Sequence, residues 1–334
     1  MRTMLTMCGA LIVGLGCCLA HVAEGGEKIR ILLDTDANNE LDDQHAIAYL
    51  LFNGDTFAVE GITVNATSNG GGIEQHMAEA TRVVQLCDLT SRIKIIPGAT
   101  GKYQEILPQI EKPEYDGSAA VDFIIERALA DDARPLVLMP IGKLTNIALA
   151  LKKAPQIASR VRIVWLGTNY PAPGEYNFVN DLTALAPVLQ SDAAFEMVMV
   201  RYRDPSGTDA VKARLADVRR IMPGKGPKVT NPVTGRHGGT FSNFGDYAVD
   251  LFEKFPGKPS ERPLFDMAAI AIVKNPAWAR RVTMGAPAFR DGKWVDRPGN
   301  PRKIIIWEHF DRQRIMQDFY QRMEKYVLAN SASR

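Results

Sequence analysis

Between residues 34 and 43 the chain reads Asp34-Thr35-Asp36-Ala37-Asn38-Asn39-Glu40-Leu41-Asp42-Asp43, which is five carboxylates in ten residues. An apolar run, Arg30-Ile31-Leu32-Leu33, precedes them and a helix-like stretch follows. Anions this close together, held at the carboxyl end of a buried strand, repel one another or keep their protons to higher pH unless a cation balances them. Neither Cys nor His is in the cluster. An all-oxygen donor set favours a hard ion, Ca²⁺ or Mg²⁺, over zinc. Helix capping by Asp42, with Asp43 as a dipole partner, would account for one or two of these acids but not for four.

The elements that must position such a cluster follow from alternating patterns. Short β-rich runs at residues 29–34, 59–64, 93–97, 136–140, 162–166 and 197–201 are separated by helical patterns at 41–52, 73–87, 119–130, 144–153 and 183–191. This alternation predicts an α/β fold with an open, mostly parallel sheet and helices on both faces. A strand at 303–307 and an amphipathic helix over 311–328 close the chain, and residues 225–245 form a long Gly/Pro-rich insertion. In such sheets ligands bind outside the carboxyl ends of the strands, so the polar residues found there carry the chemistry.

With 334 residues, 46% hydrophobic and 23% charged, the chain is large enough for a substantial core. A net charge of +2 gives no electrostatic case for a nucleic-acid polymer or an anionic membrane as partner, which leaves a small molecule. Residues 1–23 have the order of a secretory signal peptide, with Ala20 or Ala23 at the cleavage point. This predicts a secreted or periplasmic protein whose folded domain spans residues 28–334. Leu15-Gly16-Cys17 is lipobox-like, so a lipoprotein is the alternative. Cys8, Cys17 and Cys18 fall within the leader, leaving Cys87 as a lone thiol expected to pack in the core.

Three further segments complete the pattern. The run Leu136-Val137-Leu138-Met139 leads into Pro140-Ile141-Gly142-Lys143-Leu144-Thr145-Asn146. Thr168-Asn169 follows the next β-rich run, and Glu175-Tyr176-Asn177-Phe178-Val179-Asn180-Asp181 comes shortly after. An Asp-x-Asp after a first strand also suits phosphatases of the haloacid dehalogenase type, but these do not explain Glu175-Tyr176-Asn177. In order and in combination, the motifs resemble the inosine-uridine preferring nucleoside hydrolase family over essentially the whole chain after the leader.

That resemblance implies a Rossmann-like sheet, a bound Ca²⁺ and hydrolysis of the N-glycosidic bond of a ribonucleoside. It implies that Asp36 is the general base and a metal ligand, with Asp43, Asp266 and the backbone carbonyl of Ile141 as further ligands. Asp42, Asn169, Glu175 and Asn177 would hold ribose hydroxyls, Asn69 or Asn65 would line the same pocket, and Asp34 would be a supporting acid. A catalytically weak relative that binds a ribose-containing ligand is the alternative function, and a homo-oligomer is expected by analogy.

Two departures from the family matter. The turn between Asp36 and Asp42 is two residues longer than usual, with Glu40 read as a turn residue. Phe265 and Pro113 stand where the family often has histidines, one of which helps protonate the leaving base. His237 and Arg262 are candidate replacements. His45 and His76 are expected to be structural, Tyr247 is a candidate for stacking on the base, and strand-like alternation points Tyr176 away from the ribose.

Overall fold

The computed structural model describes residues 27–330. The expected leader and its three cysteines lie outside the described residues. The central sheet is built from β1 (Ile29–Thr35), β2 (Phe57–Val64), β3 (Ile95–Pro97), β4 (Leu136–Pro140), β5 (Val161–Thr168) and β6 (Ala194–Met199), joined by Arg280–Gly285 and Lys303–Glu308 from the end of the chain. Across the sheet the order is Arg280–Gly285, Lys303–Glu308, β6, β5, β4, β1, β2, β3. Every neighbouring pair is parallel except the outermost, Arg280–Gly285 with Lys303–Glu308.

This order puts β1 inside the sheet, two strands from one edge, where it is covered on both faces. Its side chains alternate between two cores: Ile31 and Leu33 join one buried cluster and Leu32 the other. A strand buried on both sides reads as a continuous apolar run, which is why β1 is legible as one. From β1 the chain builds outward through β2 and β3, then returns to the other side of β1 for β4, β5 and β6. The crevice where the direction of winding changes, between the carboxyl ends of β1 and β4, is where open α/β sheets bind ligands.

Helix α1 (Asp42–Leu51) follows the acidic turn directly, and α2 (Ile73–Leu86) covers β2 and β3. The expected helices and strands are present with small shifts at their ends; the sixth strand runs Ala194–Met199 rather than 197–201. Arg280–Gly285 was not expected, because most of its residues are solvent-facing or half-buried and it lacks the apolar run of an inner strand. The Gly/Pro-rich insertion carries a two-stranded ribbon, Val233–Thr234 with Thr240–Phe241, and its last residues start the helix Phe244–Glu253. Cys87 is fully buried, as expected of a core thiol. Among the described residues no helix is long and apolar enough to cross a membrane.

Candidate active site

The acids at the end of β1 divide into two roles. Asp34 is enclosed by donors: Thr63 Oγ1 (2.7 Å) and Asn146 Nδ2 (2.8 Å) donate to Oδ1, and Asn65 Nδ2 (3.0 Å) to Oδ2. Burial still lifts its pKa to about 7. Its hydrogen bonds tie β1 to the end of β2 and to the start of the helix Thr145–Lys153 that follows β4, which is the work of a supporting acid. Asp36 is different. Thr67 Oγ1 donates to its Oδ2, but Oδ1 is buried with no hydrogen-bond partner. Burial raises its pKa to about 6. An unpartnered buried carboxylate oxygen is costly unless something else completes it.

What could complete it lies alongside. Asp42 and Asp43 sit in the first turn of α1 and are buried. Leu41, not Asp42, occupies the helix cap, and it makes no side-chain cap bond. Asp42 is therefore not there as a capping residue. Asp266 comes from the first turn of Phe265–Lys274, a helix packed against α1. Ligand oxygens of Asp42, Asp43 and Asp266 lie within 4.8 Å of one another. Asp36 is close enough to raise the pKa of all three. Burial is the larger cause; it brings Asp42 to about 6 and, with mutual repulsion, Asp43 and Asp266 well above the usual carboxylate range. A glycine at 142 lets these groups approach, since a Cβ there would stand 2.8 Å from the Asn65 side chain and 3.0 Å from Asp36 Oδ1.

Four buried carboxylates with one orphaned oxygen and no nitrogen or sulfur ligand fit a hard divalent cation. A buried positive charge that acts on Asp36 is Lys143, whose ammonium donates to the carbonyls of Thr100 and Gly101 at 2.7 Å each. It faces several acids at once and cannot neutralise them all.

Above this floor opens a cavity of about 780 Å³, which has room for a nucleoside-sized molecule. Of the residues expected at the site, Asp36, Asp42, Asp43, Asn69, Ile141, Glu175, Asn177 and Asp266 all border it. Asn169 does not; its side chain instead accepts from the backbone amide of Tyr202 at 3.4 Å. Asn65 is occupied by Asp34, so of the two asparagines Asn69 borders the cavity. Glu175 caps the short helix Tyr176–Asn180 by accepting from Phe178 N at 2.9 Å, and burial raises its pKa to about 8. Asn177 Nδ2 donates to the carbonyls of Ile141 (2.8 Å) and Leu166 (3.0 Å), fixing the carbonyl expected to face a metal.

Several other expectations change. Tyr176 borders the cavity: residues 176–180 are helical, so strand alternation does not apply, and its hydroxyl accepts from the Asn69 amide at 2.9 Å. Glu40 is more than a turn residue; it borders the cavity and pairs with Arg262. Arg262 borders the cavity but is committed to Glu40 and lies over the Phe255 ring at 4.2 Å. His237 faces Asp250 at 3.8 Å, away from the cavity, and Tyr247 is a core residue donating to Glu79 at 2.5 Å. His76 braces the acidic turn through Asp36 O (2.8 Å), while His45 packs among Phe244, Phe252 and Phe319. Among the described residues no histidine borders the cavity. Asp116 holds the amides of Thr100 and Gly101, so the 113–117 segment is structural. Tyr202 and Arg203 border the cavity without having been expected; both follow β6 immediately, and the strand-end rule points to them.

Known proteins similar to this chain fall in one family. The sequence model of a family described as inosine-uridine preferring nucleoside hydrolase matches residues 31–317. The chain is 37% identical over 76 residues to the inosine-uridine preferring nucleoside hydrolase of Leishmania major, covering 22% of this chain and 24% of that one. It is 29% identical over 195 residues to the enzyme of the same description from Crithidia fasciculata, covering 51% and 59%. The chain thus spans from a quarter to three fifths of these relatives' length. A solved plant nucleoside hydrolase shares the fold with a TM-score of 0.68 at 16% identity, over 89% of this chain and 99% of that one.

Proposed function

The chain belongs to the inosine-uridine preferring nucleoside hydrolase family, and on that premise we propose that it hydrolyses the N-glycosidic bond of ribonucleosides to free base and ribose, with Ca²⁺ as cofactor and Asp36 as general base. The observation that carries the proposal is Asp36 Oδ1, a buried oxygen with no donor, on a carboxylate whose charge acts on the clustered Asp42, Asp43 and Asp266. Asp36, Asp43, Asp266 and the Ile141 carbonyl would hold the ion. When bound, Ca²⁺ supplies a template for a vicinal diol and lowers the pKa of a water.

The chain's own residues do the rest. Asp36 accepts the proton of the attacking water. Asp42, Asn69, Glu175 and Asn177 border the cavity where ribose hydroxyls would be oriented. Breaking the bond from C1′ to the base nitrogen builds positive charge on the sugar ring, and the surrounding carboxylates stabilise it electrostatically. Direct attack by water gives inversion at C1′ without a covalent sugar intermediate. The leader-like residues 1–23 support work outside the cytoplasm.

The test is purified protein with a panel of nucleosides and p-nitrophenyl riboside, with and without chelator. Ribose release that stops on chelation, returns with Ca²⁺ and is lost in Asp36→Ala supports the proposal. Release that persists in chelator or in Asp36→Ala refutes it. Ribose binding with no turnover of any substrate supports the alternative, a binder of ribose-containing ligands, which gains from the absence of histidine around the cavity among the described residues.

A further inference from the structure

We propose that Arg203 stabilises the nucleobase as it departs, by setting a fixed positive charge beside the leaving group. This rests on the hydrolase reading above. The carboxylates occupy the cavity floor, so a ribose oriented there directs its base toward the mouth. There the residue at the usual histidine position is Phe265, which has no proton to give.

Three cations border the cavity, and two are already engaged. Lys212 Nζ lies 3.3 Å from Asp209 and 3.7 Å from Glu261, while Arg262 is paired with Glu40. The Arg203 guanidinium has no carboxylate, carbonyl or ring partner among the described residues, and the residue is exposed. Its place is built with care. Arg201 and Arg203 both adopt left-handed backbone conformations, with φ of 47° and 62°. Non-glycine residues persist there only where their surroundings hold them.

Arg201 provides that hold. Its Nε donates to Tyr170 O at 3.0 Å, and its Nη1 donates to Ser206 Oγ at 2.8 Å and Glu308 Oε2 at 2.6 Å. Between the two arginines, Tyr202 packs edge-on against Phe265 with ring centroids 5.8 Å apart at 83°. The turn thus fixes Tyr202 and Arg203 together at the mouth, on the residue that replaced the histidine.

The electron count is simple. The C1′–N bond breaks with its pair going to the base nitrogen, water oxygen bonds to C1′, and the water's proton goes to Asp36. The base leaves as an anion and takes its proton from solvent at the mouth. Arg203 transfers no proton, since a guanidinium stays charged in proteins; it offers fixed positive charge and donors only. Its donors pair with the oxo groups and ring nitrogens over which the departing base's negative charge is spread.

The test compares wild type, Arg203→Met and Arg203→Lys on inosine, uridine and p-nitrophenyl riboside at saturating Ca²⁺. Nitrophenolate carries its charge unaided. Arg203→Met should lose on the order of 10² in kcat on the two nucleosides while staying within about threefold of wild type on p-nitrophenyl riboside; Arg203→Lys should recover part of the loss. Equal losses on all three substrates, or none on the nucleosides, overturn the assignment. A wild type that releases no ribose from any of the three substrates overturns the hydrolase reading itself, and this inference with it. Unchanged melting temperature and far-UV circular dichroism check that the variants fold.

Discussion

Calcium binding should expel protons. Asp36, Asp43 and Asp266, the proposed carboxylate ligands, all have raised pKa values in the metal-free protein, chiefly through burial. With Asp36 at about 6 and the other two also raised, binding at pH 6 should release protons. Each released proton makes the apparent affinity rise about tenfold per pH unit, because one pKa unit is worth ~1.4 kcal/mol. The stability of the metal-free fold should move the opposite way. A carboxyl whose folded pKa exceeds its unfolded value contributes stability that is fully present below the unfolded value, near 3.8, and is lost as the pH rises through the folded one. For Asp36 and Asp42 that loss is complete a little above pH 6, and for Asp34 a little above pH 7. The Asp36 shift alone corresponds to roughly 3 kcal/mol. His45 works against this trend, since burial lowers its pKa to about 4 and its neutral form is favoured as the pH rises. Titration calorimetry at pH 6 in buffers of different ionisation enthalpy counts the protons directly. A heat of binding that does not vary with buffer would refute the reasoning.

Asp36→Asn should lower kcat by ~10²–10⁴ while leaving the melting temperature of the metal-free protein at or above wild type, measured by ribose release and thermal denaturation. Asp34→Asn turns an acceptor of three hydrogen bonds into a group that competes with its own donors, and should cost about 1–3 kcal/mol in urea denaturation. Arg236 donates from the insertion to the Glu40 carbonyl at 2.6 Å and so braces the turn between Asp36 and Asp42. Arg236→Ala should weaken Ca²⁺ binding by about tenfold, the loss of one charged hydrogen bond of ~1.5 kcal/mol, with kcat at saturating Ca²⁺ unchanged.

Much of the site was legible because it lies at strand ends. The acids after β1 and the Ile141 turn after β4 follow apolar runs that had to be inner strands, and the strand order brings both to one crevice. What was not legible depends on local geometry that residue type does not encode. Tyr176 reads as part of an extended segment until Glu175 is seen to cap a helical turn. Arg201 and Arg203 give no sign in sequence of left-handed backbone, because glycine and asparagine are the residues that usually announce it. Glu40 looked like filler in a lengthened turn, and only contacts from Arg236 and Arg262, distant in sequence, show what holds that turn. The edge strand Arg280–Gly285 has too polar a composition to stand out.

Asp36 and Asp43 come from the first folded segment of the chain, whereas Asp266 comes from its last third, on the helix packed against α1. An ion shared among them would act as a removable cross-link that closes a very long loop, tying the beginning of the fold to its end. Closing such a loop restricts the unfolded chain more than a local contact does. Binding of the ion would then report on whether the whole chain has assembled: a truncated or partly folded chain lacking the 265–274 helix would lack Asp266 and present only three of the four proposed ligands.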